Sequence, residues 1–170
     1  YKIIPIHSDT EGAACTVLLG LKEMDTKLPL IVKDCDQLMN WSQKNFLEFI
    51  NRKKNDGVLV TVPTKNPGFS YVELLDDMST VSRTKEKEVV SSFGNTGCYY
   101  FKKTAEYEYY ANMMIKKNIR VKNEFYVSQV YNEYILDGKI IIHYPIVEIF
   151  SINTPAELEN NKNKISDFIN

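Results

Sequence analysis

The sequence predicts an α/β fold in which a mixed, mostly parallel sheet carries helices on both faces. Three observations predict it. Short apolar runs alternate with helical patterns through the first half, which favours parallel strands joined by crossover helices. Between Val58 and Val90 two or three strand-like runs follow one another closely, so part of the sheet is expected to be antiparallel. The chain has 170 residues, 44% hydrophobic and 25% charged, enough for one domain with a real core.

The elements follow in order. Tyr1–Ile6 reads as extended, with Pro5 near its end. The turn-forming loop 7–12 precedes a helix from about Ala13 to Lys22, with Ala13, Ala14, Val17, Leu18 and Leu21 on one face. Pro29–Lys33 is a short apolar strand that stops at two acids. Asn40, with Gln43 three residues on, is expected to cap a helix over 41–52 that turns Phe46, Phe49 and Ile50 inward. Val58–Val62 is β-branched and strand-like, and Phe69–Leu75 is a further strand that 80–82 pairs back upon. Glu86 and Lys87 are placed in a loop, and Gly94–Gly97 in a flexible loop leading into the strand Cys98–Phe101. Thr104 is expected to cap a helix to about Lys117 that buries Tyr107, Tyr110, Ala111 and Met114. A helix after Glu124 buries Val127, Val130, Tyr131 and Tyr134 and ends at Asp137-Gly138. Lys139–Val147 reads as one long strand. Thr154-Pro155-Ala156-Glu157 starts a helix that runs to the C-terminus.

Composition excludes several classes. The net charge of −1 with no basic stripe argues against a nucleic-acid partner. No apolar run approaches the ~18 residues of a membrane span and no signal-peptide pattern is visible, so no membrane partner is expected. Cys15, Cys35 and Cys98 make neither a disulfide framework nor a zinc pattern. A reducing cytoplasm is therefore the expected location, with all three as buried structural thiols. His7 and His143 have no partner at ligand spacing and read as structural. No Ser/His/Asp or Cys/His arrangement, P-loop or G-x-G-x-x-G occurs.

The stretch Leu30-Ile31-Val32-Lys33-Asp34-Cys35-Asp36-Gln37 is the centre of the functional reading. Ligands of open α/β sheets sit beyond the carboxyl ends of strands. A rigidly held Asp36 there suits a hard cation carrying substrate phosphates; the alternative is a capping or turn role for Asp34 or Asp36. Glu11, Gly12 and Ala13 open a helix whose free N–H groups and missing side chain would admit a base or phosphate, or simply start a helix. Lys87 could neutralise a phosphate and Glu86 accept hydrogen bonds, though such runs are usually solvated. Gly97 either admits a ligand or makes a turn. Glu124 either accepts from a ligand or faces a helix dipole.

Taken together, T-E-G-A-A-C-T, P-L-I-V-K-D-C-D-Q, F-S-Y-V-E-L, E-K, G-N-T-G-C-Y-Y-F, N-E-F-Y-V-S-Q-V-Y-N and N-T-P-A-E-L resemble, in order and spacing, the sugar-nucleotidyltransferase (NDP-sugar pyrophosphorylase) family. The likeness is to its small bacterial members associated with capsule and surface polysaccharide. The resemblance implies a three-layer α/β/α GT-A-like fold in a single nucleotidyltransferase-like domain. It implies transfer of a nucleotidyl group from an NTP to a phosphorylated acceptor with release of pyrophosphate. It implies Mg2+ held by Asp36, with Lys87 at the acceptor phosphate, and Glu11, Gly12, Ala13 and Asp34 on the nucleotide side. Tyr71, Glu86, Gly97 and Glu124 fall on the acceptor side. Small members that are cytidylyltransferases put CTP first. The acceptor could be a phosphosugar, a phosphocholine-like group or a phosphorylated amino acid amide such as phosphoglutamine, and a homo-oligomer is compatible with the resemblance.

The chain departs from the family's pattern. The Gly-rich triphosphate signature is absent, which the resemblance places in an upstream segment on the order of 70–80 residues, leaving the fragment alone inactive. Ser151 and Asn153 stand where a second metal Asp and a Gly are usual, and Ser70-Tyr71 replaces Tyr-Gly. Two other readings stay open: a non-catalytic nucleotide-sugar-binding module, and a GT-A glycosyltransferase using the D-x-D spacing of Asp34-Cys35-Asp36.

Overall fold

A computed structural model describes the backbone of residues 1–169 and the side chains of residues 1–165. The elements are α1 (Ala13–Leu21), β1 (Leu30–Lys33), β2 (Gln37–Asn40), α2 (Gln43–Arg52), β3 (Gly57–Pro63), β4 (Ser70–Leu74), β5 (Val81–Glu86), β6 (Phe93–Phe101), α3 (Thr104–Lys116), α4 (Val127–Leu136), β7 (Ile141–Pro145), β8 (Glu148–Ser151) and α5 (Pro155–Ile169). The expected run of α5 to Asn170 lies outside the described residues.

The α/β class holds. Six strands form one sheet in the order β5-β4-β6-β3-β7, with β1 also on β6, while β2 and β8 make a separate two-stranded ribbon. The balance of directions differs from the expectation. Among the described residues only β3 and β7 pair in parallel; β1, β3 and β4 each run antiparallel to β6. The reason is topological: β6 arrives through the β4–β5 hairpin instead of a helix, so it enters between β3 and β1 reversed.

The period-2 alternation of the central strands divides two cores. Leu59, Tyr99, Phe101 and Ile141 face α1, α3 and α4. Val58, Val60, Val62, Cys98 and Tyr100 face α2 and the β2–β8 ribbon. Helices therefore cover both faces. On the first side Tyr131 stacks on Phe101 with centroids 4.6 Å apart, and its hydroxyl lies 3.1 Å from Val58 O and 2.9 Å from Tyr100 O.

Several local expectations are corrected. Tyr1–Ile6 forms no strand and is exposed. Asn40 is the last residue of β2, paired with Glu148; Ser42 caps α2 by accepting from Asn45 N at 3.2 Å. Thr104 lies inside α3, and its hydroxyl ties the helix start to Leu28 O at 2.8 Å. The expected long strand 139–147 is shorter: β7 ends at Pro145, one last rung joins Ile146 N to Thr61 O at 2.8 Å, and the chain then leaves the sheet to pair with β2 as the separate β8. Cys15 is half-buried and Cys35 exposed, so only Cys98 is a buried thiol; all three are free. The capping box at 154–157 is as read: Thr154 N donates to Glu157 Oε2 at 3.0 Å and Glu157 N to Thr154 Oγ1 at 3.2 Å.

Candidate active site

Four elements meet at one end of the sheet. β1 ends at Lys33, and the chain turns through Asp34–Asp36 into β2. That turn is pinned on both sides: Asp34 N donates to Gly97 O at 2.9 Å, and Ile152 N to Asp36 O at 2.8 Å. Opposite, Ser70 at the start of β4 pairs with Glu86 at the end of β5. Glu86 is thus the last residue of β5, while Lys87 follows it in a bend with φ +59°, in the loop expected for it. Between these walls runs β6, where Asn95, Gly97 and Tyr99, two residues apart, present one face. Gly94–Gly97 belongs wholly to this strand. The cleft so formed has a volume of about 360 Å³ and includes Asp34, Asp36, Glu86, Lys87, Asn95 and Gly97 in its lining.

Gly97 has a physical requirement. Its φ is +69°, and a Cβ there would lie 2.0 Å from Asp34 Oδ2. Only glycine lets the Asp34 carboxylate rest against the β6 backbone. The space over Gly97 is taken by that carboxylate.

The site concentrates negative charge. Burial, and after it the Asp36 charge, push the Asp34 carboxyl above its ordinary range; Lys33 and Lys87 oppose the shift. Burial also raises Glu86, although Ser128 Oγ donates to its Oε2 at 2.7 Å and Lys87 stands nearby. Lys87 Nζ donates to Gly68 O at 2.6 Å and lies 3.5 Å from Glu86 Oε1. It also sits 5.6 Å from the centre of the Tyr126 ring. Burial, then the Glu124 carboxylate bonded to it, push the Tyr126 phenol up to about 12.

Four polar atoms here are buried without a protein partner: Asp36 Oδ1, Gln37 Oε1, and both the Oδ1 and Nδ2 of Asn95. Asn95 is only 4% exposed. Buried amides are normally satisfied, so such orphans mark a place where something else bonds.

The donor set fits Mg2+. Among the described residues no three His, Cys, Asp or Glu side chains are placed to hold a metal ion. Mg2+ ordinarily takes one or two carboxylates and completes its octahedron with water and substrate phosphate. Asp36 with its orphaned oxygen, and Asp34 beside it, supply that number.

The cleft gathers five of the ten sequence-predicted site residues: Asp34, Asp36, Glu86, Lys87 and Gly97. Tyr71 is close behind it but fully buried, its hydroxyl donating to Asn66 O at 2.8 Å. Glu124 is exposed and reaches the cleft only through Tyr126. Glu11, Gly12 and Ala13 are not part of its lining. Glu11 pairs with Arg120, and a Cβ on Gly12 (φ +123°) would lie 2.6 Å from Phe125 N and O, so the glycine serves a chain contact. Sequence reading missed Asn95, Gln37, Tyr126 and Glu157 as wall residues. Asn95 had a signal: a polar residue two positions before Gly97, detectable only once 93–101 is recognised as a single strand.

No protein-family model matches the chain, and no curated protein does. Solved structures do. A nucleoside-diphosphate-sugar pyrophosphorylase from Vibrio cholerae superposes with a TM-score of 0.80 at 24% identity, covering 91% of this chain and 66% of that one. The inositol-1-phosphate CTP transferase from T. maritima gives 0.66 at 12%, covering 92% and 61%. A UDP-glucose pyrophosphorylase complexed with UDP-glucose gives 0.74 at 12%, covering 94% and 64%. The chain has the fold of these three structures and spans just under two thirds of their length.

Proposed function

We propose that this chain is the core of a Mg2+-dependent nucleotidyltransferase. It would join an NTP, CTP before the others, to a phosphorylated acceptor and release pyrophosphate, serving surface-polysaccharide synthesis in the cytoplasm. The acceptor could be a phosphosugar, a phosphocholine-like group or phosphoglutamine. The observation that carries the reading is the convergence of Asp34, Asp36, Glu86 and Lys87 on one cleft in a fold shared with nucleotide-sugar pyrophosphorylases.

The chemistry asks for little beyond placement. Two anions must approach in line, so neutralisation and orientation supply most of the acceleration. Asp36 and Asp34 would hold Mg2+, which when bound offsets triphosphate charge. Lys87 would turn from Gly68 O to the acceptor phosphate. Glu86, fixed by Ser128, accepts hydrogen bonds from the acceptor, and Asn95 offers it both a donor and an acceptor. Glu11, Gly12 and Ala13 keep their assignment to the base on the strength of the resemblance.

The test is pyrophosphate release by the full-length protein with each NTP and a panel of phosphorylated acceptors. Asp36→Asn should lower kcat at least ~100-fold, and Lys87→Ala should lower it ~10–100-fold with a raised acceptor KM. Absence of pyrophosphate with every pair rejects the proposal. Ser151 and Asn153 in the cleft wall, where the family usually has a second metal Asp and a Gly, favour the binding-module alternative; calorimetry showing nucleotide binding without turnover would select it. Release of NDP from a nucleotide sugar would select the glycosyltransferase reading, which the spacing of Asp34 and Asp36 keeps open.

A further inference from the structure

The position of Lys87 contains more than a phosphate ligand. Its ammonium group, on a side chain 30% exposed, rests against three groups that suit a cation. Gly68 O accepts from Nζ at 2.6 Å, Glu86 Oε1 lies at 3.5 Å, and the Tyr126 ring faces it at 5.6 Å. A carbonyl, a carboxylate and an aromatic face are what a desolvated ammonium requires. The wall is held by contacts other than those of the Lys87 ammonium. Ser128 fixes the Glu86 side chain, and the Lys87 N to Phe69 O bond of 3.1 Å fixes the loop that carries Gly68.

If Lys87 swings toward an acceptor phosphate, as the proposed function requires, this site loses its cation. Glu86 is then a buried carboxylate with only Ser128 for a partner, next to Asp34. Leaving such a charge unpaired is costly. The nearby Asn95 amide, 4% exposed and without any protein partner, shows independently that this wall is made to meet a polar ligand.

We propose that the acceptor carries a protonated amine as well as its phosphate, and that this ammonium takes the place Lys87 vacates between Gly68 O, Glu86 and Tyr126. The substrate class is then a phosphorylated amine, and simple hexose phosphates are poor acceptors. The inference rests on the nucleotidyltransferase reading for the identity of the site but not for its test.

The test is calorimetric binding to the full-length protein of two esters of the same shape: phosphoethanolamine, and n-propyl phosphate, in which a methyl group replaces the ammonium. Phosphoethanolamine should bind ~10-fold or more tightly, the size expected for one ammonium held by a ring face and charge-assisted hydrogen bonds. Tyr126→Leu should shrink that ratio several-fold, while Tyr126→Phe, which keeps the ring, should preserve it. Equal affinity for the two esters, tighter binding of n-propyl phosphate, or no binding of either overturns the inference. The wild-type comparison decides the matter even if a variant fails to fold. Nucleotide binding and pyrophosphate release are measured separately, so loss of the ammonium preference with turnover intact overturns only this inference, and loss of turnover with the preference intact overturns only the enzymatic reading.

Discussion

At the scale of single residues, the cleft holds two departures from what stability alone would choose. The first is Gly97. Gly97→Ala should destabilise by about 3 kcal/mol, combining left-handed backbone strain with a clash against Asp34. Gly138 provides the control, because it has φ +75° but nothing within 4 Å of a would-be Cβ; Gly138→Ala should cost only about 1 kcal/mol. Denaturant unfolding of both variants separates strain from clash, and similar losses would show that Asp34 does not depend on the glycine. The second is Asn95. Its unsatisfied buried amide carries a desolvation cost, so Asn95→Leu should raise stability by about 1 kcal/mol while weakening acceptor binding. A thermal melt and an acceptor titration on the same variant check both halves. The acids were legible in the sequence because a strand that stops at Asp34-Cys35-Asp36 is a local pattern. Asn95 was hidden, because its meaning depends on being buried in a strand whose two glycines imitate a loop.

At the scale of elements, helices were legible and strand partners were not. Every residue expected on the buried faces of α3 and α4 from the 3.6-residue period is buried, and α4 buries the polar Ser128, Gln129 and Glu133 as well. β2 and the separation of β7 from β8 arise from tertiary pairing, which no short window encodes. One element shows how such pairing is held. His143 on β7 reaches Thr61 Oγ1 on β3 at 3.0 Å and Met78 O in the β4–β5 turn at 3.2 Å, with the Phe93 ring 4.9 Å away. Burial lowers its pKa, more than the Met78 carbonyl and the Asp77 charge restore it. A histidine lowered in the folded state binds fewer protons there than in the unfolded chain. Stability is then fully present above the ordinary value of 6.5 and falls as pH drops below it toward the folded value. Urea unfolding at pH 7.5 and 5.5 should show wild type losing more stability across that interval than His143→Gln. Equal losses would mean the hairpin turn does not depend on a neutral imidazole.

At the scale of the whole molecule, the sheet separates support from chemistry. One face packs an aromatic core around Phe101, Tyr107, Tyr131 and Tyr134, and Tyr99 of the same core reaches the cleft lining. The cleft lies where the strand ends of β1, β4, β5 and β6 leave that core, as ligand sites in open α/β sheets do. This placement was foreseen for Asp36, and the helices on both faces were foreseen with it; the antiparallel course of β6 was not, because hydrophobic patterning does not report strand direction. The division predicts how ligands will be felt. Hydrogen exchange with MgCTP should slow amides at 34–37, and at 11–14 if Glu11, Gly12 and Ala13 hold the base. A phosphorylated acceptor should slow those at 66–70, 86–87 and 94–97. The centres of α3 and α4, whose exchange reflects global unfolding, should slow by one common factor, because any ligand of the folded state raises the global unfolding free energy; exposed amides far from the cleft that open locally should keep their unliganded rates. Protection at 34–37 without any at 11–14 would remove the base from that loop while leaving the phosphate site in place. Slowing of the globally exchanging amides of α3 and α4 with none at 34–37, 66–70 or 86–87 would put the ligand outside the cleft, and the division between core and cleft would fail.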